Sequence, residues 1–187
     1  MSEYEVTRSA GVYDGQLSRV RIDTIRMPDG SSADREIVEH VNAVAVVPLG
    51  DDDRVLLLRQ YRPAVGQRLL ELPAGILDMQ GEEPEEAARR ELAEEAGVSA
   101  TVLQRLVTFD NSAGWSDERT TIYLATGLTQ VGTPAGFTPE HEESDLELVW
   151  MPLDEAARLA ARGDISDAKT LIGILLTAGR RGVDLRQ

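Results

Sequence analysis

Strand-like runs interrupted by one acidic helix and closed by helical patterns at the C-terminus predict a mixed α/β or α+β domain, its sheet lying between helices. Three stretches carry that reading. Residues 42–49 are almost continuously apolar, as in a strand buried on both faces. Residues 84–97 start at Pro84, continue with Glu85 and Glu86, and end at Gly97, which is the order of a helix with a complemented dipole and a left-handed cap. Near the C-terminus Ala168, Leu171, Ile172, Leu175 and Leu176 fall at helical spacing and make an apolar stripe.

Taken in order, residues 4–27 alternate loosely (Tyr4, Val6, Leu17, Val20, Ile22, Ile25) and favour strands. Pro28-Asp29-Gly30 signals a turn, and residues 35–40 read as the returning strand of a hairpin. After the buried run, Gly50 and three aspartates make a polar turn, and residues 55–58 form another strand that ends in Arg59-Gln60-Tyr61-Arg62. Residues 69–72 lead into a tight turn at Pro73-Ala74-Gly75 and then the acidic helix. Strand-like runs at 102–109 and 120–125 flank a polar loop at 110–118. A long Gly, Pro and acid loop covers 131–145, followed by a strand at 146–151 and helices at 153–161 and 166–178. There is no internal repeat.

At 187 residues and 42% apolar content, the chain suits one domain with a sizeable core and leaves room for a small appendage. The net charge of −14 argues against a non-specific nucleic-acid binder but not against a phosphate-bearing small molecule, because a metal ion can reverse the local sign. The absence of Cys excludes disulfide and thiol chemistry. No apolar stretch reaches membrane-span length and the first residues carry no apolar leader, so no membrane partner is expected and the cytoplasm is the expected location.

The chemistry concentrates in the acidic helix. Glu91, Glu94 and Glu95 lie three and four residues apart on consecutive turns, and like charges so placed oppose helix formation by a few tenths of a kcal/mol per pair. A charge run is ordinarily a solvated face. Here Arg90 stands among the acids and can hold Glu82 in a charge-assisted pair, while Ala87, Ala88 and Leu92 occupy a different stripe. Hard oxygens in this pattern suit magnesium, whose shell is completed by water and substrate phosphates.

The segment from Gly75 to Val98 resembles the Nudix box, the signature of hydrolases that cleave a nucleoside diphosphate linked to another moiety. From Glu82 to Val98 it matches throughout; six residues separate Gly75 from Glu82 where the family has five. The resemblance implies a Nudix-type α/β/α sandwich with a mixed sheet, preceded by an N-terminal antiparallel strand extension. It also implies Mg2+ or Mn2+ held by Glu91, Glu95, Glu94 and the Ala74 carbonyl, with Glu82 and Arg90 as an orienting pair. Arg35 to His40, Arg59-Gln60-Tyr61-Arg62-Pro63 and Glu71-Leu72-Pro73-Ala74-Gly75 are similar to the ADP-ribose pyrophosphatase branch. That similarity implies residues 1–40 as an extension that builds a homodimer, and 41–187 as the hydrolase domain. It also implies a general base on the loop after the box, where Glu142 is the first choice and Glu143 the reserve. Arg62 is placed as a phosphate-binding residue, with Arg59 beside it, and Trp115 as a stacking or wall residue. Ser112-Ala113-Gly114 stands where these enzymes commonly carry Ser-Pro-Gly, which loosens the loop and bears on substrate choice. The implied reaction is hydrolysis of ADP-ribose to AMP and ribose 5-phosphate. A GDP- or UDP-linked sugar is the alternative substrate, and a non-catalytic nucleotide sensor the alternative class.

Overall fold

The computed structural model describes residues 3–136 and 145–184. It divides the chain into two compact units, Met1–Asn42 with Phe109–Arg119, and Ala43–Thr108 with Thr120–Gln187.

In the first unit, β1 (Glu5–Asp14), β2 (Ser18–Arg26) and β3 (Ser32–His40) form one antiparallel sheet in that order. The turn between β2 and β3 closes as the Pro-Asp-Gly signal predicts. Gly30 takes a left-handed φ of 84°, and the Asp29 carboxylate accepts from the Ser31 hydroxyl at 2.6 Å and its N–H at 2.9 Å. Asp23 on β2 is buried, and hydrogen bonds from Ser9 and Arg21 hold its carboxyl below the usual range. The segment Phe109–Arg119 joins this unit through the Val38 N–H, which donates to the Trp115 carbonyl at 2.7 Å. Tyr4, Val6, Val12, Tyr13 and Leu17 leave their apolar surface exposed.

The second unit holds β4 (Ala43–Pro48), β5 (Arg54–Arg62), β6 (Gln67–Glu71), β7 (Ala74–Ile76), α1 (Pro84–Ala96), most of β8 (Val98–Asp110) and β9 (Arg119–Gln130), β10 (Glu147–Pro152), α2 (Leu153–Arg162) and α3 (Ala168–Arg181). One sheet runs β7-β4-β9-β8 and is mixed, with β4 parallel to β9 and antiparallel to β7; the other runs β10-β5-β6 and is antiparallel. Strand β4 lies between helical layers. Val44 and Val46 join the cluster formed by Ala87, Ala88, Leu92 and Ala96 of α1. On the opposite face, Val47, Ile122 and Leu72 crowd against Gly173 of α3, where an added Cβ would lie 2.7 Å from Leu72 and 2.9 Å from Val47. The two-residue alternation of the strand thus feeds one face to each helix layer, giving the expected α/β/α sandwich. Among the described residues, no helix is long and apolar enough to cross a membrane.

Two local expectations are corrected. Pro73-Ala74-Gly75 does not form a tight turn: Ala74–Ile76 is a short strand paired with β4, and the Val46 N–H donates to the Pro73 carbonyl at 2.9 Å. Extended backbone here meets the unpaired edge of β4, which is worth more than an isolated turn. On α3 the buried face is Thr170, Gly173, Ile174, Thr177 and Ala178, not the Leu-rich stripe, and Leu176 is exposed. Small residues let the helix approach the sheet closely. The two hydroxyls that this buries are satisfied, Thr177 donating to the Gly173 carbonyl at 2.8 Å and Thr170 bonding to Asp167 at 2.6 Å.

Candidate active site

Helix α1 buries Ala87, Ala88, Leu92 and Ala96 and gathers Glu91 and Glu94 around Arg90, with Pro84 at its first turn and Gly97 in the left-handed cap at φ 63°. Arg90 is the hub of the acidic face. Its Nε and Nη2 donate to the two Glu82 oxygens at 2.9 and 3.0 Å, and its Nη1 donates to Glu91 at 2.6 Å and Glu94 at 3.0 Å. The Glu82 bonds, with the neighbouring acids, hold the guanidinium firmly protonated, and Arg90 in turn keeps the Glu82 carboxyl below its usual range.

Glu95 is held apart from that network. Its Oε2 accepts the Ala74 N–H at 2.8 Å. Burial pushes its carboxyl up to about 8, against the pull of the Ala74 N–H and with the Glu91 charge adding to the rise. Gly75 lies under the Glu91 carboxylate, which fills the space that a Cβ at position 75 would need. Any larger residue there would displace Glu91.

These residues fit a divalent cation. The donors are hard oxygens, the carboxylates outnumber their one guanidinium, and the Glu95 carboxyl sits where a nearby cation would draw its pKa down. Among the described residues no three acidic, His or Cys side chains are gathered into a ready cage; Arg90 is bonded to Glu82, Glu91 and Glu94 instead.

A second charged cluster was missed by the sequence reading. Arg62, at the end of β5, donates from Nε and Nη2 to the two oxygens of Glu71, both at 2.7 Å. Lys169, in the first turn of α3, reaches the same carboxylate at 2.5 Å and Asp167 at 2.9 Å. Burial would raise the Glu71 pKa, but the two cations outweigh it and hold the carboxyl below the usual range. Glu71 lies in the Glu71–Gly75 motif already singled out, whereas Lys169 is 98 positions away with only a helix-capping sequence around it.

The other expected residues are placed as follows. Arg59 is half-exposed and pairs with Glu147 at 3.4 Å. Trp115 belongs to the first unit, where it is 55% exposed rather than part of a core. Glu142 and Glu143 lie outside the described residues.

A model of the NUDIX domain matches residues 39–172. The ADP-ribose pyrophosphatase of Mycobacterium tuberculosis (strain ATCC 25618 / H37Rv) is 43% identical over 173 residues, covering 92% of this chain and 82% of that protein. The methanol dehydrogenase activator of Bacillus methanolicus is 32% identical over 172 residues, covering 92% of this chain and 91% of that one. Among solved structures, an ADP compounds hydrolase superposes with a TM-score of 0.82 at 25% identity, covering 99% of this chain and 98% of that one.

Proposed function

The chain belongs to the NUDIX family, and we propose that it hydrolyses ADP-ribose to AMP and ribose 5-phosphate with Mg2+ or Mn2+ as cofactor. One observation carries this reading: the complete acidic set at α1, with Glu82, Glu91 and Glu94 around Arg90, Glu95 on the Ala74 N–H, and Gly75 leaving room for Glu91. The names of the M. tuberculosis relative and of the ADP compounds hydrolase support the substrate class.

In the reaction, the oxygen of water bonds to one phosphorus, the bond from that phosphorus to the bridging oxygen breaks, and the bonding electrons leave with the second phosphate. Glu91, Glu94, Glu95 and the Ala74 carbonyl would hold the metal, which when bound neutralises charge on the diphosphate oxygens and activates water. Glu142, with Glu143 in reserve, accepts the proton of the attacking water. Arg62 binds phosphate through the edge of its guanidinium that Glu71 does not occupy, and Arg59 adds charge beside it. The exposed Trp115 ring offers a face for a base. Glu82 and Arg90 orient the acids by their ion pair and hold no metal themselves. The exposed apolar side chains of residues 1–40 cover a second copy of the chain, making a homodimer. A cytoplasmic location goes with this reading, since so charged a substrate does not cross a bilayer unaided.

Ala113 in place of the usual Pro favours weighing GDP- and UDP-linked sugars against ADP-ribose. The name of the B. methanolicus relative points to a regulatory role for that protein, but the full set of carboxylates here favours catalysis.

The test is a panel of ADP-ribose, GDP-sugars and UDP-sugars with Mg2+ or Mn2+, with products separated and quantified. Equal amounts of AMP and ribose 5-phosphate, at the highest kcat/KM of the panel, are expected from ADP-ribose. A higher value for another nucleotide sugar would reassign the substrate, and binding without turnover would favour the sensor. Sedimentation should give twice the chain mass of 20.4 kDa.

A further inference from the structure

Glu71 is buried to 1% exposure, yet three charged donors converge on it. A buried carboxylate needs its charge met, and Arg62 alone already bonds to both oxygens. Lys169 is therefore a second cation on a carboxylate that already has one. Its own place is fixed by α3: Asp167 caps the helix through the Thr170 N–H at 3.0 Å and also accepts from Lys169. Thr170 bonds in turn to the Leu72 N–H at 2.8 Å, so the first turn of α3 grips residues 71 and 72 at two points.

The consequence falls on Arg62. Its side chain is 41% exposed while its inner edge is spent on Glu71, so Glu71 and any incoming phosphate share the charge of one guanidinium. Where Lys169 shares the Glu71 charge, Arg62 is anchored but not saturated. Without Lys169, Arg62 would be the one cation here facing both Glu71 and Asp167, and its positive field toward solvent would fall.

We propose that Lys169 is a positioning residue for phosphate recognition, holding Glu71 so that the Arg62 guanidinium is aimed at the diphosphate and remains available to it. The proposal rests on the hydrolase reading above, through Arg62.

The test is K169M, with K169R as the charge-keeping variant, in two measurements: steady-state hydrolysis with Mg2+, and calorimetric binding of ADP-ribose in EDTA, where no turnover occurs. In K169M, KM should rise about tenfold with kcat changed less than about threefold, metal-free affinity should fall in parallel, and K169R should recover most of both. In an R62A background, K169M should add less than about a twofold further loss, because its route through Arg62 is gone. If K169M is poorly folded, the paired change E71Q with K169M removes both buried charges together and should keep the fold while still binding weakly.

Wild-type binding and turnover matched by K169M would overturn this inference and leave the hydrolase reading standing. So would a K169M loss that persists in full in the R62A background, since that marks a merely structural lysine. A wild-type chain that neither binds nor splits ADP-ribose would overturn the substrate reading and this inference with it.

Discussion

The two charged clusters of the second unit use the same pairing of carboxylate and cation in opposite balances. At α1, three carboxylates (Glu82 just before the helix, Glu91 and Glu94) share one guanidinium while Glu95 stands apart on the Ala74 N–H, and the surplus is negative. At the start of α3, Glu71 and Asp167 are matched by Arg62 and Lys169, and an edge of Arg62 remains toward solvent. The difference teaches how an acidic chain can receive a diphosphate: one cluster fits a metal ion, the other carries cations of its own. One short stretch serves both. Glu71 binds the cations, the Ala74 N–H holds Glu95, and Gly75 lies under Glu91.

The comparison breaks most decisively at the acids. Glu91→Gln and Glu95→Gln should each lower metal-dependent kcat by at least about a hundredfold, because an amide lacks the charge a hard cation needs. Thermal unfolding should be nearly unchanged, since Gln keeps the shape and, at 95, an oxygen for the Ala74 N–H. Full turnover in both would remove α1 from the metal site. Next in size is the stability contrast between the hubs. Arg90→Met leaves three partly buried carboxylates without their cation and should cost about 2–4 kcal/mol in urea unfolding. Millimolar Mg2+ should return part of that loss in proportion to its occupancy. Arg62→Met should cost less, because Lys169 still meets Glu71. Equal losses at the two positions would mean that the clusters do not differ as described.

Much of this was legible in the chain. The alternation and caps located β4, α1 and the C-terminal helices, because period and end residues are local properties. The acidic face was legible for the same reason: Glu82 to Glu95 lie within one helix and its approach, and the Arg90–Glu94 pairing follows from helical spacing. What failed was set by distant partners. Ala74–Ile76 became a strand because β4 offers an edge, and no residue in the Pro73-Ala74-Gly75 sequence announces that neighbour. The buried face of α3 was misread because apolar size suggested Leu171 and Leu175, whereas close approach to Val47 and Leu72 selects Gly173. Lys169 escaped notice because its partner lies on another element, and long-range ion pairs leave no periodic trace.

The smallest expected effect separates the clusters by pH. Glu71 has a folded pKa below its ordinary 4.5, since the cations outweigh burial. A depressed carboxyl contributes stability that is fully present above the unfolded value and is lost as pH falls through the folded one. Glu71→Gln cannot lose that contribution, having given it up at every pH. The stability gap between wild type and Glu71→Gln should therefore be largest from neutrality down to about pH 4.5 and should narrow below it. Both proteins keep the α1 acids, including Glu95 with its opposite shift, so those titrations cancel in the difference. A gap that stays constant down to pH 3, measured by urea unfolding in metal-free buffer, would mean that Glu71 is not held ionised by Arg62 and Lys169. The balanced cluster would then be balanced by hydrogen bonds alone, and the field that Arg62 presents to a phosphate would have to come from elsewhere.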